Sequence, residues 1–332
     1  MSTDRATAKD IAEIAGVTAG TVSRAMRGDP LVTEKTRLKI LQIAKELNYR
    51  PNLSARALKT GSAGTLALAC PTGGWVLHHP HFAPMHAGFI MAASEEEVRV
   101  TIYVPPASGS WPVTIAKHAW PMEMLNGLVD GCLIYQTHAL ALESVQYLRD
   151  ARLAVVLMNV DREIPGFFQI LGNAEQRIRE SVRWAQELGA RRVGVLGLSE
   201  RMQHANSAMR AGAKSAPGKV EVGFEEIHDN HPDQPEAVDR AITALMAGRP
   251  DAVIFNSTVH AVRFLQRRKL GKLPSDTLLF FHKPDKAPWA LPGMHYMVAD
   301  LLGMGRTAYG LIKEAKLGRP PRIERLRWSR MA

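Results

Sequence analysis

The stretch Thr7-Ala8-Lys9-Asp10-Ile11-Ala12-Glu13-Ile14-Ala15-Gly16-Val17-Thr18, continuing directly into Ala19-Gly20-Thr21-Val22-Ser23-Arg24-Ala25-Met26, decides the reading of this chain. Ile11, Ala12, Ile14 and Ala15 recur at i, i+3 and i+4 spacing, and Val22, Ala25 and Met26 do the same. Two short amphipathic helices can therefore bury their apolar faces against each other. Thr7, three residues ahead of Asp10, makes a capping-box-like start; Gly16 turns the chain, and Thr18 caps the second helix. This spacing predicts a helix-turn-helix. A third helix over 34–47, following Thr33, carries Ile40, Leu41, Ile43, Ala44 and Leu47 toward the same small core, and the second helix is left free to enter a major groove.

The charge agrees with that reading. Residues 1–60 hold eleven Lys and Arg against six Asp and Glu, so half of the net charge of +10 sits in under a fifth of the 332 residues. Such a surplus suits a domain whose affinity comes from neutralising phosphates. A solvated helical bundle is the plainer alternative.

These motifs, with Asn48-Tyr49-Arg50-Pro51-Asn52 and Ala55-Arg56-Ala57-Leu58-Lys59, resemble the amino terminus of a lactose-repressor (LacI) family transcription regulator. The resemblance implies an α/β chain: an all-α helix-turn-helix headpiece, a short hinge helix, and a two-subdomain effector domain with parallel sheets, like a periplasmic binding protein. It implies as DNA-contacting residues Thr7, Thr18, Ala19, Gly20, Thr21, Ser23, Arg24, Tyr49, Asn52, Ala55, Leu58 and Lys59. Ala19 offers only a methyl group and Gly20 no side chain, so direct readout leans on Thr18, Thr21, Ser23 and Arg24, with Arg24 the guanine-contact candidate. Ser23 fits phosphate positioning as well as base contact. Pro51-Asn52 ends the third helix, and the next seven residues are too short for a stable isolated helix. By resemblance that hinge folds on DNA, with Leu58 of two subunits wedged in the minor groove and Ala55 allowing close approach.

The expected domains are a headpiece at 1–50, a hinge and linker at 51–61, and an effector and dimerisation domain at 62–332. The last divides into one subdomain of about 62–161 plus 291–318 and another of about 162–290 plus 319–332. No stretch approaches about 18 uninterrupted apolar residues and the first residues lack a signal-peptide pattern, so a cytoplasmic protein with no membrane partner is expected. Cys70 and Cys132 each lie in an apolar run without metal spacing and read as buried thiols.

Beyond Gly61-Ser62-Ala63-Gly64, strand-like runs at 65–69, 98–104, 132–135, 154–159, 192–197, 252–256 and 278–281 alternate with helical stretches at 87–96, 122–128, 143–152, 175–188, 236–247 and 260–269. That alternation predicts parallel sheets flanked by helices, in two units. Family landmarks recur in order: Val129-Asp130-Gly131, Val160-Asp161-Arg162, Gly189 to Val195, Pro250 to Phe255 and Met304 to Ala308.

By resemblance a small molecule binds between the subdomains, and the candidate contacts are His81, Phe82, Asn159, Arg210, Thr258 and His282. The family's usual polar set is thinned. Met209 stands where an arginine is customary, Thr258 and His282 where aspartates are. Two readings stay open: a less polar, aromatic or anionic effector, or a cleft that no longer senses a small molecule. His78, His79, His81 and His86 fall within nine residues, yet with two prolines and no adjoining Cys or carboxylate they form no specific metal pattern. No P-loop, GxGxxG, GxSxG or HExxH occurs, so no enzymatic activity, cofactor or metal is expected.

The function these features imply is a sequence-specific DNA-binding regulator, expected to act as a repressor, whose partners are a pseudopalindromic double-stranded operator, a second copy of the chain and an unidentified effector. The alternative is a small-molecule-binding protein with only nonspecific DNA association. Basic clusters at Arg263-Arg267-Arg268-Lys269-Lys272 and Arg319-Arg322-Arg325-Arg327-Arg330 read as solvated surface, with auxiliary nucleic-acid contact as the other possibility.

Overall fold

The computed structural model describes residues 6–49, 61–70, 77, 82–104, 127–135, 146–148, 150, 153–160, 163–199, 203–227, 235–285 and 290–331, with the backbone alone at 159, 160 and 199. The chain divides into two compact units, residues 1–63 and 64–332.

In the first unit α1 spans Ala8–Ala15, α2 Ala19–Met26 and α3 Glu34–Glu46. Local chemistry sets each start. The Thr7 amide donates to the Asp10 carboxylate at 2.7 Å and the Asp10 amide to Thr7 Oγ1 at 3.4 Å. Thr18 Oγ1 accepts from the Thr21 amide and Thr33 Oγ1 from the Thr36 amide. Gly16, at φ 70°, ends α1 in the left-handed region that a side chain disfavours. Ile11, Ala12, Ala15, Val22, Ala25, Ile40, Ile43 and Ala44 form the core. Full burial of Ile11 and Ile40 contributes about 1.5–3 kcal/mol each. Ile14 departs from the expected core and is 56% exposed, because at 100° per residue it falls off the stripe that Ile11, Ala12 and Ala15 define. Lys39 closes the packing by donating to the Ala15 carbonyl at 3.0 Å, occupying an acceptor the end of α1 leaves open.

In the second unit the strands are, in chain order, β1 Thr65–Ala69, β2 Arg99–Tyr103, β3 Gly131–Tyr135, β4 Ala154–Val160, β5 Phe168–Leu171, β6 Arg192–Ser199, β7 Glu221–Ile227, β8 Ala252–Phe255, β9 Leu278–Pro284, β10 Met294–Ala299, β11 Ile323–Arg325 and β12 Ser329–Arg330. The helices are α4 Ala83–Glu95, α5 Ala174–Glu187, α6 Gln203–Lys214, α7 Pro235–Ala247, α8 Thr258–Lys269 and α9 Leu301–Lys316. Two six-stranded sheets result, ordered β11-β5-β4-β3-β1-β2 and β12-β10-β9-β8-β6-β7. Every described pairing is parallel except β10 with β12. Uninterrupted burial along β3 and β8 is what helices on both faces require.

Both sheets share one winding. The second strand of each pairs on one side of the first and the third on the other, which creates a switch point between β1 and β3 and again between β6 and β8. Ligands in open parallel sheets gather at the carboxyl ends of strands flanking such a point.

The subdomain boundaries differ from the expected ones. Phe168–Leu171 joins the first sheet, Met294–Ala299 joins the second, and the tail divides, β11 to the first and β12 to the second. Backbone pairing decides this: Ile323 registers with Gln169, and Met294 with Leu279. Helix α9 returns to the first sheet, packing on α4 so closely that a Cβ on Gly88 would lie 2.0 Å from the Leu302 carbonyl oxygen. The expected helices at 122–128 and 143–152 fall largely outside the described residues.

Candidate nucleic-acid interface and ligand site

The exposed side of α2 is set by what its other side buries. Val22 and Ala25 are each 1% exposed, so Gly20, Ser23, Arg24 and Arg27 share the opposite face at helical spacing. Thr18 and Thr21 hydroxyls lie 3.0 Å apart at its amino end. Ser23 Oγ accepts from Arg27 Nη1 at 2.7 Å. Ala19, Gly20 and Arg24 are exposed, Thr21 and Ser23 half-buried. This is a small-residue first turn followed by two guanidiniums, a surface that fits a groove flanked by phosphates. Thr7 serves as the α1 cap, its carboxylate partner Asp10 held below the usual range by the backbone and side-chain hydrogen bonds from Thr7. Tyr49 is half-buried against the three-helix core. Asn52, Ala55, Leu58 and Lys59 lie outside the described residues.

In the second unit a polar cluster forms beside the β6/β8 switch point. Asn256, directly after β8, donates from Nδ2 to the Leu196 carbonyl on β6 at 2.8 Å and accepts on Oδ1 from Arg177 Nη1 at 2.7 Å. The same nitrogen of Arg177 lies 3.1 Å from His282 Nδ1 on β9. Arg177 Nη2 is 4.0 Å from the Met209 sulfur on α6, and its Cζ lies 5.5 Å from the Trp328 ring. His282 meets that indole edge-on at 5.4 Å. A buried guanidinium thus stands beside Met209, with α5 rather than α6 supplying the charge.

The cluster is tied to the crossovers between the sheets. Trp328 Nε1 donates to the Gly172 carbonyl at 2.8 Å, Asn173 Nδ2 to Leu326 O at 2.9 Å, and Gln176 Nε2 to Trp328 O at 3.0 Å. The segments that follow β5 and β11 are stitched together at the residue that touches His282.

At the corresponding end of the first sheet, Tyr135 closes β3 and receives the edges of Phe82, at 5.3 Å between centroids, and His86, at 4.6 Å. Tyr135 donates its hydroxyl to Met85 Sδ at 2.5 Å. His86 is buried with both ring nitrogens lacking a hydrogen-bond partner, and burial lowers its pKa to about 4. Burial also pushes the Cys70 thiol up to about 12.

Of the residues expected to contact an effector, the structure brings His282 to the Arg177 cluster and sets Thr258 two residues beyond Asn256, at the start of α8. Phe82 lies at the end of the first sheet. Arg210 is not brought to either group: its guanidinium donates to Glu226 at 2.9 Å and lies 4.0 Å over Phe224, because Met209 takes the inward position of α6. His81 lies outside the described residues, as does the side chain of Asn159. Arg177 and Trp328 were missed from sequence. The available signal was spacing, since Arg177 falls among Ala174, Ile178, Ser181, Val182 and Ala185, the buried stripe of α5.

The two basic clusters are largely occupied by partners. Arg263 clasps Asp239 through two bonds of 2.8 and 2.6 Å, Arg267 reaches the Asp239 carbonyl, and Arg268 reaches the Pro274 and Thr277 carbonyls. Arg322 pairs with Glu314, Arg325 with Glu163 and Arg330 with Glu187.

A three-helix unit with this capped turn, followed in one chain by two parallel sheets of like winding, defines a helix-turn-helix protein with a two-sheet α/β body. Residues 7–52 match the model for bacterial regulatory proteins of the lacI family. Relatives include a probable HTH-type transcriptional repressor, ExuR, of Bacillus subtilis, 27% identical over 190 residues, which are 57% of this chain and 54% of that protein. The HTH-type transcriptional regulator AglR of Rhizobium meliloti is 37% identical over 89 residues, 27% of this chain and 25% of that one. The matched segments thus span about half of the first relative's length and a quarter of the second's. The lac repressor dimer bound to operator and an anti-inducer superimposes with a TM-score of 0.74 at 17% identity, over 98% of each chain. A lacI-family regulator from Silicibacter pomeroyi does so with 0.73 at 22%, again over 98% of each. Residues 7–52 are therefore similar to the DNA-binding region of lacI-family regulators, and the whole chain shares the fold of the lac repressor.

Proposed function

We propose that this protein is a sequence-specific transcription regulator, a repressor, that binds a pseudopalindromic operator as a homodimer and acts on cytoplasmic DNA under the control of a small-molecule effector. The observation that carries the reading is the face of α2, where Gly20, Ser23, Arg24 and Arg27 stand opposite a fully apolar buried side. A dimer suits it, since one small headpiece reads few base pairs and two-fold symmetry doubles the contacts. Among the described residues no helix is long and apolar enough to cross a membrane.

The effector site in this reading is the Arg177–Asn256–His282 cluster together with Phe82, His86 and Tyr135 at the corresponding strand ends of the first sheet. Trp328 links the cluster to the crossover segments, so a ligand that moves the indole biases the arrangement of the sheets and thereby DNA affinity. Selection of bound fragments from random and genomic duplex DNA at near-physiological salt tests the reading. Enrichment of one palindrome, lost in Arg24→Ala, supports it; uniform binding to all DNA overturns it in favour of nonspecific association.

A further inference from the structure

The geometry points to Arg27 and Ser23 as a two-donor clamp for one phosphodiester of the operator backbone. This rests on the DNA-binding reading and adds to it a residue at the last turn of α2. Arg27 is the carboxy-terminal cap of that helix, one turn beyond Ser23, and is exposed. Among the described residues neither Arg24 nor Arg27 makes an ion pair with a carboxylate, in contrast to Arg37, which is held by Glu34 at 2.7 Å. The charge on this face is therefore not consumed within the headpiece.

The hydrogen bond to Ser23 gives Arg27 a direction. Its guanidinium folds back along the helix instead of extending beyond it, and Nη1 sits 2.7 Å from the serine oxygen. A serine hydroxyl has one proton and two lone pairs, so an oxygen that accepts from Arg27 keeps its own O–H to donate. The guanidinium likewise keeps further N–H groups in its planar fork. Two donors, one charged and one neutral, are thus presented side by side. A phosphodiester, which only accepts, matches that pair; the edges of adenine and cytosine, which carry an amino donor, match it less well, while guanine, with O6 and N7, is set apart from a phosphate by position along the helix.

Position argues the same way. Base edges are read by the amino-terminal residues of a recognition helix, while its later turns meet the backbone. The first turn here offers Ala19 and Gly20, with open space around Gly20 apart from Thr18 Oγ1 at 3.5 Å from a built Cβ. That bare turn lets the helix approach closely, which brings the Ser23–Arg27 edge within reach of a phosphate.

The test uses the full chain and two duplexes, an operator obtained by selection and an unrelated sequence of equal length, titrated by fluorescence anisotropy from low to moderate salt. For Arg27→Ala the slope of log K against log salt falls in magnitude by about 1.8 on both duplexes, about 0.9 for each subunit of the dimer. Arg27→Lys keeps the slope but binds more weakly, and Ser23→Ala weakens the wild type more than it weakens Arg27→Ala. An unchanged slope in Arg27→Ala, or a loss confined to the operator, overturns the clamp while leaving the regulator intact. A wild-type chain that binds neither duplex overturns both. Circular dichroism and melting of each variant separate folding from contact, because Arg27 is exposed and its loss leaves the core of Ile11, Val22 and Ile40 untouched.

Discussion

Nη1 of Arg177 lies 3.1 Å from Nδ1 of His282, and in this pair the arginine must be the donor. A guanidinium has no acceptor, so the imidazole proton belongs on Nε2, and His282 is fixed as the Nε2–H tautomer wherever the pair is intact. The same nitrogen holds Asn256 Oδ1 at 2.7 Å, and Asn256 in turn holds the β6 carbonyl of Leu196. One cation therefore orients two neutral side chains, one on β9 and one directly after β8.

Arg177→Met tests that arrangement. The thioether keeps much of the stem but strands the Asn256 oxygen, and charge-assisted bonds of this kind are worth about 1.5–3 kcal/mol. Urea unfolding of the variant should show a loss of about 2–3 kcal/mol. In a cycle with Asn256→Ala the two losses should fall short of additive, with a coupling above about 0.5 kcal/mol. Nitrogen chemical shifts of His282 in the wild type should report a protonated Nε2.

His86 gives a pH prediction of definite sign. Its folded pKa is lowered to about 4 by burial, against about 6.5 in an unfolded chain, so the unfolded state binds more protons between those values. The contribution is complete above pH 6.5 and is lost as pH falls toward 4, at most about 3 kcal/mol. His86→Leu should flatten the difference between urea midpoints at pH 7 and pH 5 relative to wild type. It should also stabilise the protein at pH 7 by about 1 kcal/mol or more, because two buried nitrogens without partners are removed.

The headpiece was legible because its determinants are local. Thr7, Thr18 and Thr33 announce each helix, and Gly16 is where the left-handed turn falls. In the body the strands β1 to β4, β6, β8 and β9 and the helices α4, α5, α7 and α8 fall close to where the alternation places them, because each carries its own apolar run or stripe. Strand β7, with Glu221, Gly223, Glu225 and Glu226, is a polar edge strand whose existence depends on pairing with β6, and no short window records that. Strand β5 has four residues and places Gln169 inward, where its side chain bonds both ways to the Ile164 backbone. The proposed ligand site was half legible: His282 and Phe82 could be aligned with a family pattern, but Arg177 on α5 comes beside Met209 on α6 only through the packing of the two helices, a proximity that no short window records.

Gly88 and Gly305 set the distance between α4 and α9. A Cβ on Gly305 would lie 2.0 Å from the Met85 carbonyl oxygen, as one on Gly88 would from Leu302 O. Backbone cannot yield as a side-chain tip does, so either alanine forces the helices apart and opens the packing of Phe89 and Leu301, both fully buried. Overpacking of this kind costs about 1–3 kcal/mol, and occasionally more. Thermal melts of Gly88→Ala and Gly305→Ala should both show lowered midpoints, whereas Gly310→Ala, on the same α9 but with open space around a built Cβ, should not.

Gly20 is the complementary case, a helical glycine with room to spare. It lacks a left-handed φ, and the nearest atom to a built Cβ is Thr18 Oγ1 at an ordinary 3.5 Å. Alanine there removes a propensity penalty of up to about 1 kcal/mol, less at a first turn than in a helix centre. Gly20→Ala should therefore raise the melting midpoint of the headpiece. On DNA the added methyl projects from the exposed face that Ser23, Arg24 and Arg27 share, where it meets whatever the bare turn now approaches. Stabilisation with weakened operator binding would mean that close approach at residue 20 matters more than helix strength. Stabilisation with unchanged binding would mean that the glycine is incidental, and that readout is carried by Thr21 and Arg24. Melting and anisotropy on one preparation decide between them.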